Sequence, residues 1–144
     1  MAVTVKRIYE EAKPADGVRV LVDRLWPRGV SKERAALHEW LKALAPSDEL
    51  REWFHANPGT WLSFRKRYLK ELAAPEAEAE LQHLYTLATK RKRVTLLFAS
   101  KDQEHNNAAV LRDLINGMRK PPTGTGPARA SGARTSKVQS MPRR

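Results

Sequence analysis

An α/β fold is what this chain predicts: a small mixed, partly parallel sheet covered by helices, in a single domain followed by a basic tail. Three observations carry that expectation. Val18–Asp23 (VRVLVD) and Val94–Ala99 (VTLLFA) are short, nearly unbroken apolar runs of the kind that buried central strands show. The stretches between them repeat apolar residues at helical spacing. Two strands separated by helices need a crossover, and that favours parallel pairing.

Val3–Ile8 alternates apolar and polar residues and reads as a strand, which Tyr9 can extend. The short connection EEAKPADG, with Pro14 and Asp16-Gly17 as breakers, favours antiparallel pairing with Val18–Asp23. Pro27 and Gly29 then force a loop over Arg24–Val30. Ser31 is the expected N-cap of a helix over Lys32–Ala45, with Ala35, Leu37, Leu41 and Leu44 as its apolar positions and Pro46 as its stop. Ser47 caps a short helix over Asp48–His55, whose Asp48 and Glu49 suit the helix dipole. After the turn Asn57-Pro58-Gly59, helical spacing over Trp61–Leu72 puts Trp61, Phe64, Tyr68, Leu69 and Leu72 on one stripe. Pro75 opens the next helix, with Ala77, Leu81, Leu84, Tyr85 and Ala88 facing inward. The polar Ser100–Asn107 leads into a last helix with Val110, Leu111, Leu114, Ile115 and Met118 inward.

Composition narrows the function classes. The chain has 144 residues, 27 Lys and Arg against 16 Asp and Glu, a formal charge of +11 and no cysteine. Disulfides, thiolate nucleophiles, iron–sulfur clusters and cysteine zinc sites are therefore excluded. Val94–Ala99, the longest apolar run, is far shorter than the roughly 20 residues that span a bilayer. The start MAVTVK lacks the basic-then-apolar layout of a signal peptide. A soluble cytoplasmic protein with no membrane contact is expected. Residues 121–144 hold four Pro, three Gly, five Lys and Arg and no acid. That composition predicts a disordered basic tail beyond a domain at 1–120, able to touch nucleic acid through phosphates without sequence preference.

The two informative stretches are Asp23–Gly29 (DRLWPRG) and Ser100–Asn107 (SKDQEHNN), each after the carboxyl end of an apolar strand. Ligands of open α/β sheets gather there, and the second loop leads into a helix start, which favours an anion. In this reading Arg24, Arg28 and Lys101 hold the anion and Trp26 covers it. His105 serves as acid or base, oriented by Asp23 or Asp102, while Asn106 and Asn107 complete the ligand contacts. Each residue also has a structural alternative. Asp23 can pair with a strand-end donor, Asp102, Asn106 and Asn107 can cap the helix, His105 can sit in its first turn, and Trp26 can close the core. No G-x-x-x-x-G-K-S/T, G-x-G-x-x-G, G-x-S-x-G or H-E-x-x-H pattern occurs, and His38, His55, His83 and His105 lie far apart, so no metal site is expected. The residues name no cofactor and no oligomeric state. Arg65-Lys66-Arg67, with Lys70, reads either as a nucleic-acid surface or as a solvated helix face.

VRVLVDRLWPRGVSK (Val18–Lys32) and LLFASKDQEHNNAAVL (Leu96–Leu111) resemble the signature segments of the domain-of-unknown-function 488 family, in its YeaO-like branch. LHEWLKALAPSDELREWF (Leu37–Phe54) and FRKRYLKEL (Phe64–Leu72) are also similar to that family, so the resemblance covers Val3–Lys120. The hallmarks it implies fall on Asp23, Arg24, Leu25, Trp26, Pro27, Arg28 and Gly29, and on Lys101, Asp102, His105, Asn106 and Asn107. The resemblance implies the fold and the candidate pocket and assigns no reaction, so whether the chain is an enzyme stays open. Three functions compete. The first is binding of a small nucleotide- or phosphate-like anion at the two loops, with or without His/Asp chemistry. The second is a nucleic-acid-associated accessory or regulatory role through the basic surface and tail. The third is a protein-interaction adaptor.

Overall fold

Backbone pairing, more than helix packing, decides where the polar loops end up. In the computed structural model, which describes residues 3–91, 93–120 and 122, the strands are β1 (Val3–Arg7), β2 (Val18–Leu21), β3 (Glu39–Trp40) and β4 (Val94–Phe98). They form one sheet of order β1-β4-β2-β3 in which every neighbouring pair is parallel. The α/β class is as expected. The first strand differs: it lies parallel to β4, Val3 opposite Val94 through Arg7 opposite Phe98, and does not pair with β2. All five residues of β4 are buried, so its backbone groups need a neighbour on each side. β4 therefore inserts between the two strands that are adjacent in sequence.

Side chains alternate across this sheet with period two. Val20, Val22, Val94, Leu96 and Phe98 share one buried cluster with residues of α2 (Asp48–Ala56), α3 (Trp61–Glu71), α4 (Pro75–Lys90) and α5 (Asn107–Asn116). Leu21 and Leu97 meet Ile8, Val30 and Ala35 in a second, smaller cluster edged by Tyr9, Trp26, Leu37 and Trp40. Helices cover one face, and the segment after β2 covers the other.

That arrangement corrects the expected helix over Lys32–Ala45. Only α1 (Lys32–Ala35) forms, capped by Ser31, whose Oγ accepts from Arg34 N. Ala36 then takes a left-handed φ of 48°, and the chain runs on as β3, where His38 N donates to Arg19 O and Leu41 N to Leu21 O. Ala35 and Leu37 pack in the smaller cluster while Leu41 and Leu44 pack in the larger one. One helix cannot serve two opposite faces of a sheet. The expected tail, 121–144, lies outside the described residues except for Pro122, whose carbonyl accepts from Gln82 Nε2 at 2.8 Å. No helix among the described residues is long and apolar enough to cross a membrane.

The amino-terminal half of the second face is polar. Asp16, 8% exposed, accepts from Lys6 Nζ at 2.9 and 3.0 Å, from Arg19 Nη1 at 2.5 Å and from Lys13 N at 3.0 Å. Arg19, inside β2, completes its donors on Ala35 O. Gly17 is held at φ 67° beside this network, where an added Cβ would meet Arg93 O at 2.4 Å, so only glycine fits. Burial opposes ionisation of Asp16, but the bonds from Lys13, Lys6 and Arg19 outweigh it and hold the carboxyl below its usual 3.8. Its contribution to stability is therefore full above pH 3.8 and fades as pH falls through the lower folded value. Removing one partner of such a buried pair costs about 3–5 kcal/mol. Urea unfolding of Asp16→Ala at pH 7 is expected to show a loss of that order, shrinking in strongly acidic solution.

Candidate functional site

The parallel sheet brings the ends of β2 and β4 side by side, so the two polar loops leave it together. Asp23 follows directly. Its Oδ2 accepts from Ala99 N at 2.9 Å, its Oδ1 accepts from Asn107 Nδ2 at 3.2 Å, and its carbonyl accepts from Trp40 Nε1 at 2.7 Å. Asn107 Nδ2 also donates to Val22 O at 2.8 Å. Asp23 and Asn107 thus clasp β2, β4, the start of α5 and the β3 edge. Burial raises the Asp23 carboxyl above its usual value, against the lowering effects of the Ala99 and Asn107 hydrogen bonds and the Arg51 charge.

The second loop is built on Asp102. Its Oδ1 accepts from the N–H groups of Glu104 (3.0 Å) and His105 (2.9 Å), and its Oδ2 faces His105 Nδ1 at 3.3 Å. The backbone bonds from His105 and Glu104, with the His105 ring, lower its pKa. Asn106 is the N-cap of α5: its Oδ1 accepts from Ala109 N at 2.8 Å and its Nδ2 donates to Asp102 O at 2.9 Å. The His105 ring rests on Trp61 of α3, with centroids 5.0 Å apart, and Lys101 stands exposed at the start of the loop.

Arg24 and Trp26 diverge. Arg24 turns toward α2, with Nη2 3.5 Å from Ala45 O and Nε 4.0 Å from Asp48 Oδ1. Its Nε is, among the described residues, the buried side-chain nitrogen or oxygen left without a hydrogen-bond partner. Trp26 lies under the opposite face, its Nε1 donating to Val30 O at 2.6 Å and its ring set edge-on to Trp40 at 5.5 Å. The Arg28 carbonyl accepts from Tyr9 on that same side, and the Arg28 side chain is exposed. The structure therefore brings Asp23, Arg24, Asn107 and the Asp102–His105–Asn106 turn to the helix-covered end of the sheet, and it does not bring Trp26 or Arg28 to them.

Four further residues belong at this end. Arg51 Nη2 bonds Asp48 Oδ1 at 3.3 Å. Trp61 backs His105, and the Tyr68 hydroxyl donates to Leu44 O. Burial, reinforced by the Asp23 and Glu71 charges, raises Tyr68 far above its usual value. The sequence marked Asp48 only as a helix-start acid, and marked Trp61 and Tyr68 only as core. Arg51 carried no signal beyond its place on α2. On α3, Phe64 and Tyr68 are buried while Arg65, Lys66 and Lys70 are exposed, and the Arg67 guanidinium lies 4.1 Å over the Trp53 ring. Among the described residues, no group of three or more His, Asp and Glu side chains is arranged to hold a metal ion.

The sequence matches the family model described as "Inactive DUF488-N3 subclade" over residues 2–131. It is 43% identical over 118 residues to "Uncharacterized protein YeaO" of Escherichia coli, covering 82% of this chain and all of that one. It is 45% identical over 115 residues to "Uncharacterized protein Rv3073c" of Mycobacterium tuberculosis, covering 80% of this chain and 94% of the relative. No solved structure matches the chain.

Two outcomes follow from the clasp. In a carboxyl-detected NMR titration, Asp23 is expected to titrate above 3.8 and Asp102 below it. The opposite order would mean that Asp23 is solvated. Asn107→Ala strips the donor from the buried Val22 carbonyl, a loss of about 1–3 kcal/mol in denaturant unfolding.

Proposed function

The chain belongs to the DUF488 family, in its YeaO-like branch, and from that premise we propose that it binds a small phosphate- or nucleotide-like anion at the carboxyl ends of β2 and β4 without turning it over. One observation carries the reading: the buried Nε of Arg24, a permanently charged donor, has no hydrogen-bond partner. A buried donor left unmade costs about 1–3 kcal/mol, and more when charged. A ligand oxyanion relieves that cost. Arg51 adds a second guanidinium beside it. His105 against Trp61 forms a partly apolar rim able to meet a base or sugar. Binding at the carboxyl ends of parallel strands fits the general habit of such sheets.

Three features favour binding over chemistry. Both carboxyl oxygens of Asp23 are engaged by Ala99 and Asn107, so its use as a base would loosen the clasp. Asp102 is committed to two backbone N–H groups. The matched family model itself carries the word inactive in its description.

A thermal-shift screen of the full chain against nucleotides, sugar phosphates and carboxylates tests the reading. A true ligand at about 100 times its Kd adds about 2.7 kcal/mol, a shift of several degrees at this size. The shift is expected to vanish in Arg24→Ala. A shift that survives Arg24→Ala, or none with any anion, contradicts the proposal.

A further inference from the structure

Asp48 sits where the proposed ligand would bind. Its Oδ1 lies 3.3 Å from Arg51 Nη2 and 4.0 Å from Arg24 Nε. A single carboxylate oxygen thus stands between two guanidinium groups, one from the end of β2 and one from α2. It satisfies them incompletely: Arg24 Nε stays without a hydrogen bond. Asp48 is not the cap of α2 either, because Ser47 Oγ accepts from Leu50 N at 3.1 Å. Its side chain is 61% exposed, so it can turn to solvent while the helix keeps its start.

We infer that Asp48 is a built-in competitor for the anion site, and that the ligand is a doubly charged oxyanion such as a phosphate monoester. This inference rests on the proposed binding site above. With Asp48 turned away, the two guanidinium groups carry two positive charges, of which a monocarboxylate neutralises one and a dianion both. A tetrahedral phosphate also offers several acceptor oxygens, enough for Arg24 Nε and Arg51 Nη2 to bond different atoms at once. When phosphate enters, Asp48 leaves. The affinity then reads as the intrinsic affinity reduced by the fraction of time Asp48 stands aside. A weakly held internal carboxylate makes binding selective for ligands that outcompete it, since acetate brings no more charge than Asp48 does.

Calorimetric titration of the full chain with inorganic phosphate, and separately with acetate, tests this. Asp48→Asn keeps the size of the side chain and removes the charge. It is expected to tighten phosphate binding about tenfold, as when the competent state was populated roughly a tenth of the time. Glu49→Gln, one residue on, removes the same charge from the same helix turn and is expected to leave the affinity unchanged. Arg24→Ala and Arg51→Ala are each expected to abolish phosphate binding, and acetate is expected to bind more weakly than phosphate to the native chain and to Asp48→Asn. Equal tightening by Asp48→Asn and Glu49→Gln, or none by Asp48→Asn, overturns the competitor while leaving the binding site standing. Acetate binding as tightly as phosphate overturns the dianion. Phosphate binding that persists in both arginine variants overturns the site itself. Absence of phosphate binding in both the native chain and Asp48→Asn overturns both.

Discussion

The carboxylate of Asp23 holds the carboxyl end of this sheet together. Parallel strands end with backbone groups that the ladder no longer pairs, and here two of these are met by two side chains, the half-buried Asp23 and the buried Asn107. Asp23 takes the N–H of Ala99 from β4 and the amide of Asn107 from α5, while its own carbonyl takes the Trp40 indole from β3. Asn107 returns the second half of the clasp to the carbonyl of Val22. Burial makes the charge costly, and the elevated carboxyl pKa is the sign of that cost. The positions of Arg24 and of the turn before α5 follow. The chain leaves Asp23 with Arg24 aimed at α2, and it enters α5 with the Asp102–His105–Asn106 turn against α3.

The two sheet faces do different work. The helix-covered face buries most of the core, with Tyr68, Leu84, Leu96 and Phe98 at its centre. The other face is closed by loops and divided along its length. Ile8, Leu21 and Leu97 pack at the carboxyl end, and Asp16, Arg19 and Thr95 bond at the amino end, where Lys6 reaches Asp16 from its place opposite Leu97. The buried ion cluster therefore lies at the amino end of the strands, away from the loops proposed to bind the anion. Its partners are all within the chain, and its role is to hold β1, β2 and the connection between them in register.

Much of this was legible in the residues. The helices α2, α3 and α4 start where Ser47, Trp61 and Pro75 indicate, Asn106 proves to be the one of three candidates that caps α5, and β2 and β4 lie in the two apolar runs. What the residues concealed were relations between distant segments. The partner of β1 is β4, far along the chain, and no local pattern reports that a later strand inserts between two earlier ones. The apolar spacing of Ala35, Leu37, Leu41 and Leu44 is that of a helix, but it arises from two pairs of residues serving opposite faces. Arg19, which lies within an apolar run and was given no role from sequence, is a buried charge bonded to Asp16 and Ala35. At the candidate site, Asp23, Arg24 and His105 were visible because polar groups collect at strand ends. Trp26 was expected over the ligand, and the loop after β2 carries it under the other face beside Trp40. Asp48 and Arg51 could not be linked to Arg24 from sequence, because only the packing of α2 beside the end of β2 joins them.

The central claim is that Arg24, which follows the Asp23 clasp, and Arg51, on α2, form an oxyanion site. A crystal structure of the chain grown with tungstate, a heavy tetrahedral dianion with a strong anomalous signal, tests it most directly. The account predicts an anomalous peak at the carboxyl ends of β2 and β4, within hydrogen-bond reach of Arg24 Nε, with the Asp48 carboxylate turned away. Peaks confined to the exposed Arg65, Lys66 and Lys70 face of α3, with Asp48 still between the two arginines, would contradict it.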